Sequence, residues 1–496
     1  MAAEWGSNGV LIKPVTPDSF RGPPGRKSMA SKHALLLAAE CTPEHVRGGR
    51  GDGAGGERGA LDMRPPRPCG GGVGLAKPPP AGDKAAVRLP SRPLPAALVI
   101  GLVAQLLFCW RLTTPHVLVF DEVHYVPAAR MLRGLVGPVN IEHPLLGKTL
   151  IALGMMIFGD GPLGWRALST VAASAVVMGV FAILWLLFGR VRTASIGAVL
   201  TLLNFTVFVQ ARIAMLDGFM AAFVVTGLAA LLWAMRARGA AVWWRWLLGA
   251  LLLGLAVGTK WTALPYLGFA GATYLVVRWR RPDLWPGLHP VVALVLLGGV
   301  AMLAYFATFW PAFLYADQPL TVARLLPFQL DMYRQQTQVL PPHTYQSRWW
   351  TWPFDWRPVW YFYEPADGAQ RGILLLGNPV VMWGGLVAVV AGIAAWVRDG
   401  DARTGGVALL WIASVAMWAL IPKSLGFYYY YYLSSIWLAL VIAAAFDHWR
   451  MRLRYWDEAF LAASAVLFIH FYPILSAAAL RGPGSFHRWM WLTSWI

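Results

Sequence analysis

Polar and apolar residues fall in alternating blocks along this chain. Apolar runs lie at roughly 94–111, 165–187, 191–209, 213–235, 246–262, 263–278, 289–309, 372–397, 404–421, 426–446 and 456–474. Most are close to the length of about twenty residues that lets a helix cross roughly 30 Å of hydrocarbon. A transmembrane barrel would instead show short segments of alternating hydrophobicity. The pattern therefore predicts an all-α polytopic membrane protein. A further run, 144–159, is a candidate twelfth crossing.

The polar blocks decide between these counts. "GRVR" (189–192), "RARGAAVWWR" (236–245), "RWRRPD" (278–283), "RDGDAR" (398–403) and "DHWRMRLR" (447–454) are short and basic. Basic loops stay on the cytoplasmic side. All five fall there only if 144–159 lies along the outer surface or dips in without crossing, which leaves eleven spans, a cytoplasmic N-terminus and an external C-terminus. At about 1.5 Å per residue that segment is also short for a crossing. The tightest fit is 246–278, where two spans share 33 residues.

Four regions follow. Residues 1–93 form a Gly/Pro/Arg-rich tail, expected to be disordered and unlike a signal peptide. Residues 94–310 form a transmembrane region with a long first outer loop, 311–371 an external Trp-rich loop, and 372–496 a C-terminal four-helix region. Composition agrees: 57% of residues are hydrophobic and 13% charged, with a mean hydropathy of +0.52. Soluble proteins are about one quarter charged, so soluble architectures are excluded. The formal charge of +18 does not indicate nucleic acid, because the cations sit between apolar runs rather than along one patch. Cys41, Cys69 and Cys109 show no metal-binding spacing and no disulfide framework.

Candidate chemistry collects on the predicted external side. Asp121 and Glu122 adjoin at the exit of the first span. Charges near hydrocarbon are costly and tend to face a polar cavity, although outside water would also accommodate this pair. In a cleft, one carboxylate can take a proton from a hydroxyl while the other orients an amide or holds that base. His143 precedes Pro144, which suits a helix start whose free N–H groups face a phosphate; Lys148 follows one turn later. The plain alternatives are an interfacial histidine and a snorkelling lysine. Asp217 and Lys260 interrupt apolar sequence and need partners, Arg212 being the nearest for Asp217. Lys423 stands beside the tyrosine run 428–432. Five tryptophans within 349–360 read as an interfacial belt, or, with Arg348 and Arg357, as a surface for an anionic headgroup.

Carboxylates, a histidine and cations on one membrane face fit transfer from a phosphate-linked donor, with cations stabilising the departing phosphate. A transporter would place charges at mid-membrane within repeated halves, and no internal repeat is evident. No phosphate-binding loop or dinucleotide fingerprint is present. A divalent metal is compatible only if folding unites Asp121, Glu122 and His143.

Four segments in order carry a resemblance. "FDEVHYVPAARML" with "EHPLLGKTLIALGMMIFGDGPLGWRALS", "ARIAMLDGFMAAF", "AVGTKWTALPYL" and "HTYQSRWWTWPFDWRPVWYFYE" resemble the protein O-mannosyltransferase family, in its bacterial form. The resemblance implies a C-type glycosyltransferase fold with eleven spans in the bacterial plasma membrane. It further implies inverting transfer of mannose from a polyprenyl- or dolichyl-phosphate carrier to Ser or Thr hydroxyls of exported proteins, in contact with the secretion machinery. It makes Asp121 the catalytic acidic residue that accepts the acceptor's proton, Glu122 its supporting partner, and His143–Pro144, Arg212 and Asp217 family positions. Lys148, Lys260, Arg348 and Lys423 are candidates for the donor phosphate. Leu145 stands where the family has a second proline, and the soluble domain of eukaryotic members has no room in the sixty-residue loop. The rival reading is transfer to lipid A or another envelope glycan; a flippase is the rival from another class.

Overall fold

The structure, a computed structural model, describes residues 93–496, so the expected N-terminal tail lies outside the described residues. The helices are α1 (Pro93–Cys109), α2 (Glu122–Arg133), α3 (Leu146–Phe158), α4 (Pro162–Phe188), α5 (Val191–Leu202), α6 (Phe205–Ala211), α7 (Leu216–Ala234) and α8 (Ala240–Val257). There follow α9 (Leu264–Arg280), α10 (Pro290–Ala307), α11 (Val322–Thr337), a hairpin of β1 (Val359–Ala366) and β2 (Ala369–Leu375), α12 (Pro379–Asp399), α13 (Ala402–Ala416), α14 (Tyr432–His448) and α15 (Trp456–Leu475).

Each of the eleven predicted spans carries a helix, and among the described residues eight are long and apolar enough to cross by length and composition alone. The bent pair α5 and α6 makes a ninth, and α1 and α9 reach 17 residues each. The short run is α3, at 13 residues about 20 Å long, as its length predicts.

Local chemistry sets the ends. Pro162, Pro290 and Pro379 start α4, α10 and α12, where a missing N–H costs nothing. Gly189 and Gly400 end α4 and α12 with φ of 70° and 67°. The 63° bend between α5 and α6 falls at buried Asn204. Its side chain accepts from the Thr206 amide and donates to the Ser435 carbonyl on α14. Broken backbone at membrane depth survives only when protein satisfies it in this way. α14 is the central helix, buried over nearly its whole length.

Three differences from the sequence reading have physical causes. First, α8 begins at Ala240, inside the predicted basic loop, because Arg245 lays its guanidinium 3.8 Å over the Trp233 ring instead of needing a loop. Second, the run "ILLL" after residue 372 is not the start of a span; it is buried strand, and α12 starts at Pro379. Ala366 pairs with Ala369, leaving Asp367 and Gly368 as a two-residue turn with φ of 47° and 74°, the twist a tight hairpin demands. Third, the tryptophan belt is divided: Trp352 and Trp360 are core, whereas Trp350 and Trp356 are exposed.

Three of the basic loops meet at one end of the bundle. Arg190 pairs with Asp447 at 2.9 Å, Arg192 with Asp457 at 2.8 Å, and His448 lies between Asp399 and Asp401 at 2.8 and 3.0 Å. At the other end of α4, the hairpin tip touches the segment between α1 and α2, where Asp367 accepts from the His116 amide at 3.2 Å. Ala316 and Asp317 donate amides to Leu135 and Val136. The loops that carry candidate chemistry are thus tied into one layer.

Candidate active site

The adjacent carboxylates have opposite fates. Glu122 is fully buried, and all of its hydrogen-bonding capacity is used. One oxygen accepts from Arg166 Nε and the Ala214 amide, both at 2.8 Å. The other accepts from Arg166 Nη2 at 2.8 Å and the Val119 amide at 2.9 Å. Arg166, equally buried in the first turns of α4, also donates to the carbonyls of Pro115 and Val117. Glu122, expected as half of the catalytic pair, is held between three segments with the acceptor positions of both its oxygens filled.

Asp121 is the half-buried partner. It stands at the N-cap of α2, yet its side chain makes no capping bond. Its recorded hydrogen-bond donor is the Tyr125 hydroxyl one turn later, at a long 3.4 Å. Burial pushes its carboxyl up to about 6; His124 and Lys260 oppose that rise and Asp217 adds to it. A raised carboxyl that stays ionised near neutrality suits a general base.

Asp217 and Lys260 form a buried pair, Nζ lying 2.8 and 2.9 Å from the two carboxylate oxygens. The Lys260 ammonium also faces the rings of Tyr429 and Tyr430 at 5.4 and 5.5 Å. Beside this pair a small cleft is lined by residues that include Met220, Thr262 and Tyr430. An Arg212–Asp217 pair is not formed. Arg212 instead donates to the carbonyls of Phe108, Trp110 and Arg111, closing the C-terminal end of α1. All three of these bonds go to main-chain carbonyls.

His143 and the remaining lysines complete the layer. Lys148 is buried and donates to the carbonyls of Asn140 and His143, so it shapes the loop rather than snorkelling. Lys423 donates to the Gln336 carbonyl at 3.0 Å and to its amide oxygen at 3.1 Å. Burial, with lysines 260, 148 and 423 around it, holds the His143 imidazole well below its usual value, so the ring is neutral. Burial and the repulsion of Lys260 bring the Lys423 ammonium down to about 8.

Arg348 joins none of these bonds; it is exposed and stacks over Trp350 at 5.0 Å. Arg357 donates to the carbonyls of Thr344, Ser494 and Ile496, which removes it as a headgroup ligand. A divalent ion does not fit the residues proposed for it. Glu122 is consumed, His143 is ringed by lysines, and among the described residues no cluster of three or more metal-type ligands occurs. Sequence reasoning missed Arg166, Tyr125 and Gln336. An arginine in the first turns of an apolar span was a usable signal, whereas Gln336 gave none.

Residues 162–316 match the model described as dolichyl-phosphate-mannose-protein mannosyltransferase, and residues 321–495 match the C-terminal four-transmembrane region of protein O-mannosyltransferase. The chain belongs to the protein O-mannosyltransferase family. Among curated relatives, the polyprenol-phosphate-mannose–protein mannosyltransferase of Mycolicibacterium smegmatis is 29% identical, over 63% of this chain and 73% of that one. The Mycobacterium tuberculosis protein of the same name is 28% identical, over 60% and 69%. Among solved structures, the Saccharomyces cerevisiae O-mannosyltransferase Pmt1–Pmt2 complex bound to the sugar donor aligns with a TM-score of 0.71 at 12% identity. That alignment covers 82% of this chain and 92% of the other, and it shows the fold: a C-type, multi-span helical membrane fold.

Proposed function

We propose that this O-mannosyltransferase transfers mannose, with inversion, from a polyprenyl- or dolichyl-phosphate carrier to Ser or Thr hydroxyls of exported proteins. The observation that carries the reading is the division of labour at residues 121 and 122. Arg166 consumes Glu122, while Asp121 keeps a carboxylate free beside the Asp217–Lys260 pair. The names of the mycobacterial relatives support the donor and the kind of acceptor.

In the proposed step, the acceptor oxygen attacks the anomeric carbon on the face opposite the phosphate. Asp121 takes the hydroxyl proton as the C–O bond forms. The bond from the anomeric carbon to the phosphate oxygen breaks, and polyprenyl phosphate leaves with both electrons. Lys260, Lys423 and the neutral His143 supply N–H donors for the charge gathering on that phosphate. One displacement without a covalent enzyme intermediate inverts the configuration. The reading places the site on the external face of a bacterial plasma membrane, with the basic loops cytoplasmic and acceptors met as they leave the secretion machinery.

The test is an assay of purified protein with labelled polyprenyl-phosphate mannose, offering a Thr-rich peptide and a glycolipid together. Mass spectrometry should find one hexose on the peptide, and digestion with anomer-specific mannosidases should show the configuration opposite to the donor's. Sugar on the glycolipid alone would overturn the acceptor assignment, and carrier movement without a new bond would overturn the enzyme.

A further inference from the structure

Gln336 lies in the last turn of α11, the helix of the external loop. That helix exposes Val322, Leu326, Leu330 and Tyr333, the apolar stripe of a helix resting at an interface. The adjoining face carries Gln329, buried Met332 and Gln336, spaced to share one side. Gln329 bonds to the Tyr305 hydroxyl and fastens the helix to α10.

Gln336 reaches two other loops. Its amide nitrogen donates to the Glu142 carbonyl at 2.5 Å, and its amide oxygen and main-chain carbonyl both receive the Lys423 ammonium. Both partners are chemically one-way, since a lysine only donates and a carbonyl only accepts. The orientation of the amide is thereby fixed. The same nitrogen stands 3.4 Å from His143 Nδ1, which must then be an acceptor, so the ring proton is on Nε2.

We propose that Gln336 is a positioning residue for the donor phosphate, fixing His143 as the Nε2–H tautomer and holding the Lys423 ammonium beside it. The proposal rests on the mannosyltransferase reading and names what organises its phosphate end. Among the described residues neither the Lys423 ammonium nor the His143 imidazole forms an ion pair with a carboxylate, although Glu142 lies near Lys423; a neutral amide bonds to both. α11 thus does more than cover the bundle, because its final turn joins the 140–143 loop to the 421–427 loop.

The experiment uses the full chain in lipid nanodiscs with radiolabelled polyprenyl-phosphate mannose, comparing wild type, Q336M and Q329L. Q336M keeps length and volume but removes the amide; Q329L loosens α11 without touching the clasp. The expected result is a donor Kd and donor KM raised about tenfold in Q336M, as for lost bonds to charged groups. The acceptor KM should be unchanged, and Q329L should bind donor like wild type. Q336A replaces Q336M if the latter is not monodisperse. Wild-type donor affinity in the Gln336 variants would overturn the proposal, as would equal weakening in Q329L. Wild type that binds donor but transfers nothing would sink the mannosyltransferase reading, and the Kd ratio would still decide the role of Gln336. Wild type that binds no donor would overturn both.

Discussion

At the level of single residues, two neighbouring acids illustrate what sequence can and cannot tell. "FDEVHY" identifies two carboxylates at a membrane edge, but burial and partners sort them. Glu122 is enclosed by Arg166 and two amides, and Asp121 is left with one long bond from Tyr125. The partner of Asp217 was also beyond the sequence. Arg212, five residues away, is the nearer cation along the chain, yet Lys260, 43 residues on, makes the bond. Local spacing does not survive a change of helix. The pH dependence belongs at this scale. The base acts ionised, and burial lifts its carboxyl to about 6. Below that value kcat/KM should fall about tenfold per pH unit, and above it should level, provided donor and acceptor do not titrate there. A steady-state profile checks it; a limb near the ordinary value of about 4 would remove the burial argument.

Among the elements, helices were legible and their partners were not. Blocks of apolar residues located all eleven helical segments, because a hydrocarbon solvent imposes one length and forbids open backbone. The hairpin escaped, although Asp367–Gly368 between aromatic runs is a usable turn signal, because "ILLL" reads equally as strand or span. The Asn204 break escaped too, since the groups that satisfy it include Ser435 and Asn378, distant in the chain. Arg166 is the main joint between elements, tying α4 to Glu122 and to the carbonyls of the 112–117 loop. Arg166→Leu would strand a buried carboxylate, a loss of about 3–5 kcal/mol. The expected outcome is a lower melting temperature and folded yield, read by thermal size-exclusion; wild-type melting would contradict the joint.

Across the whole molecule, the arrangement of charge is the organising feature. The bundle gathers Arg190, Arg192, Asp447, Asp457 and His448 at one end of α4 and Glu122 with Arg166 at the other. The positive-inside bias assigns the first end to the cytoplasm. With Cys41, Cys69 and Cys109 replaced, a cysteine at exposed Gln318 should react with an impermeant maleimide in intact cells. One at exposed Arg398 should react only after permeabilisation. Equal labelling at both would refute the one-sided site.

The whole account depends on Asp121 taking the acceptor's proton, and its most direct test is the transfer rate of Asp121→Asn in correctly inserted protein. With labelled polyprenyl-phosphate mannose and a Thr-containing peptide, the rate should fall 10²–10⁴-fold, the usual order for loss of a general base. Donor binding should persist. Turnover within a few-fold of wild type would contradict the assignment.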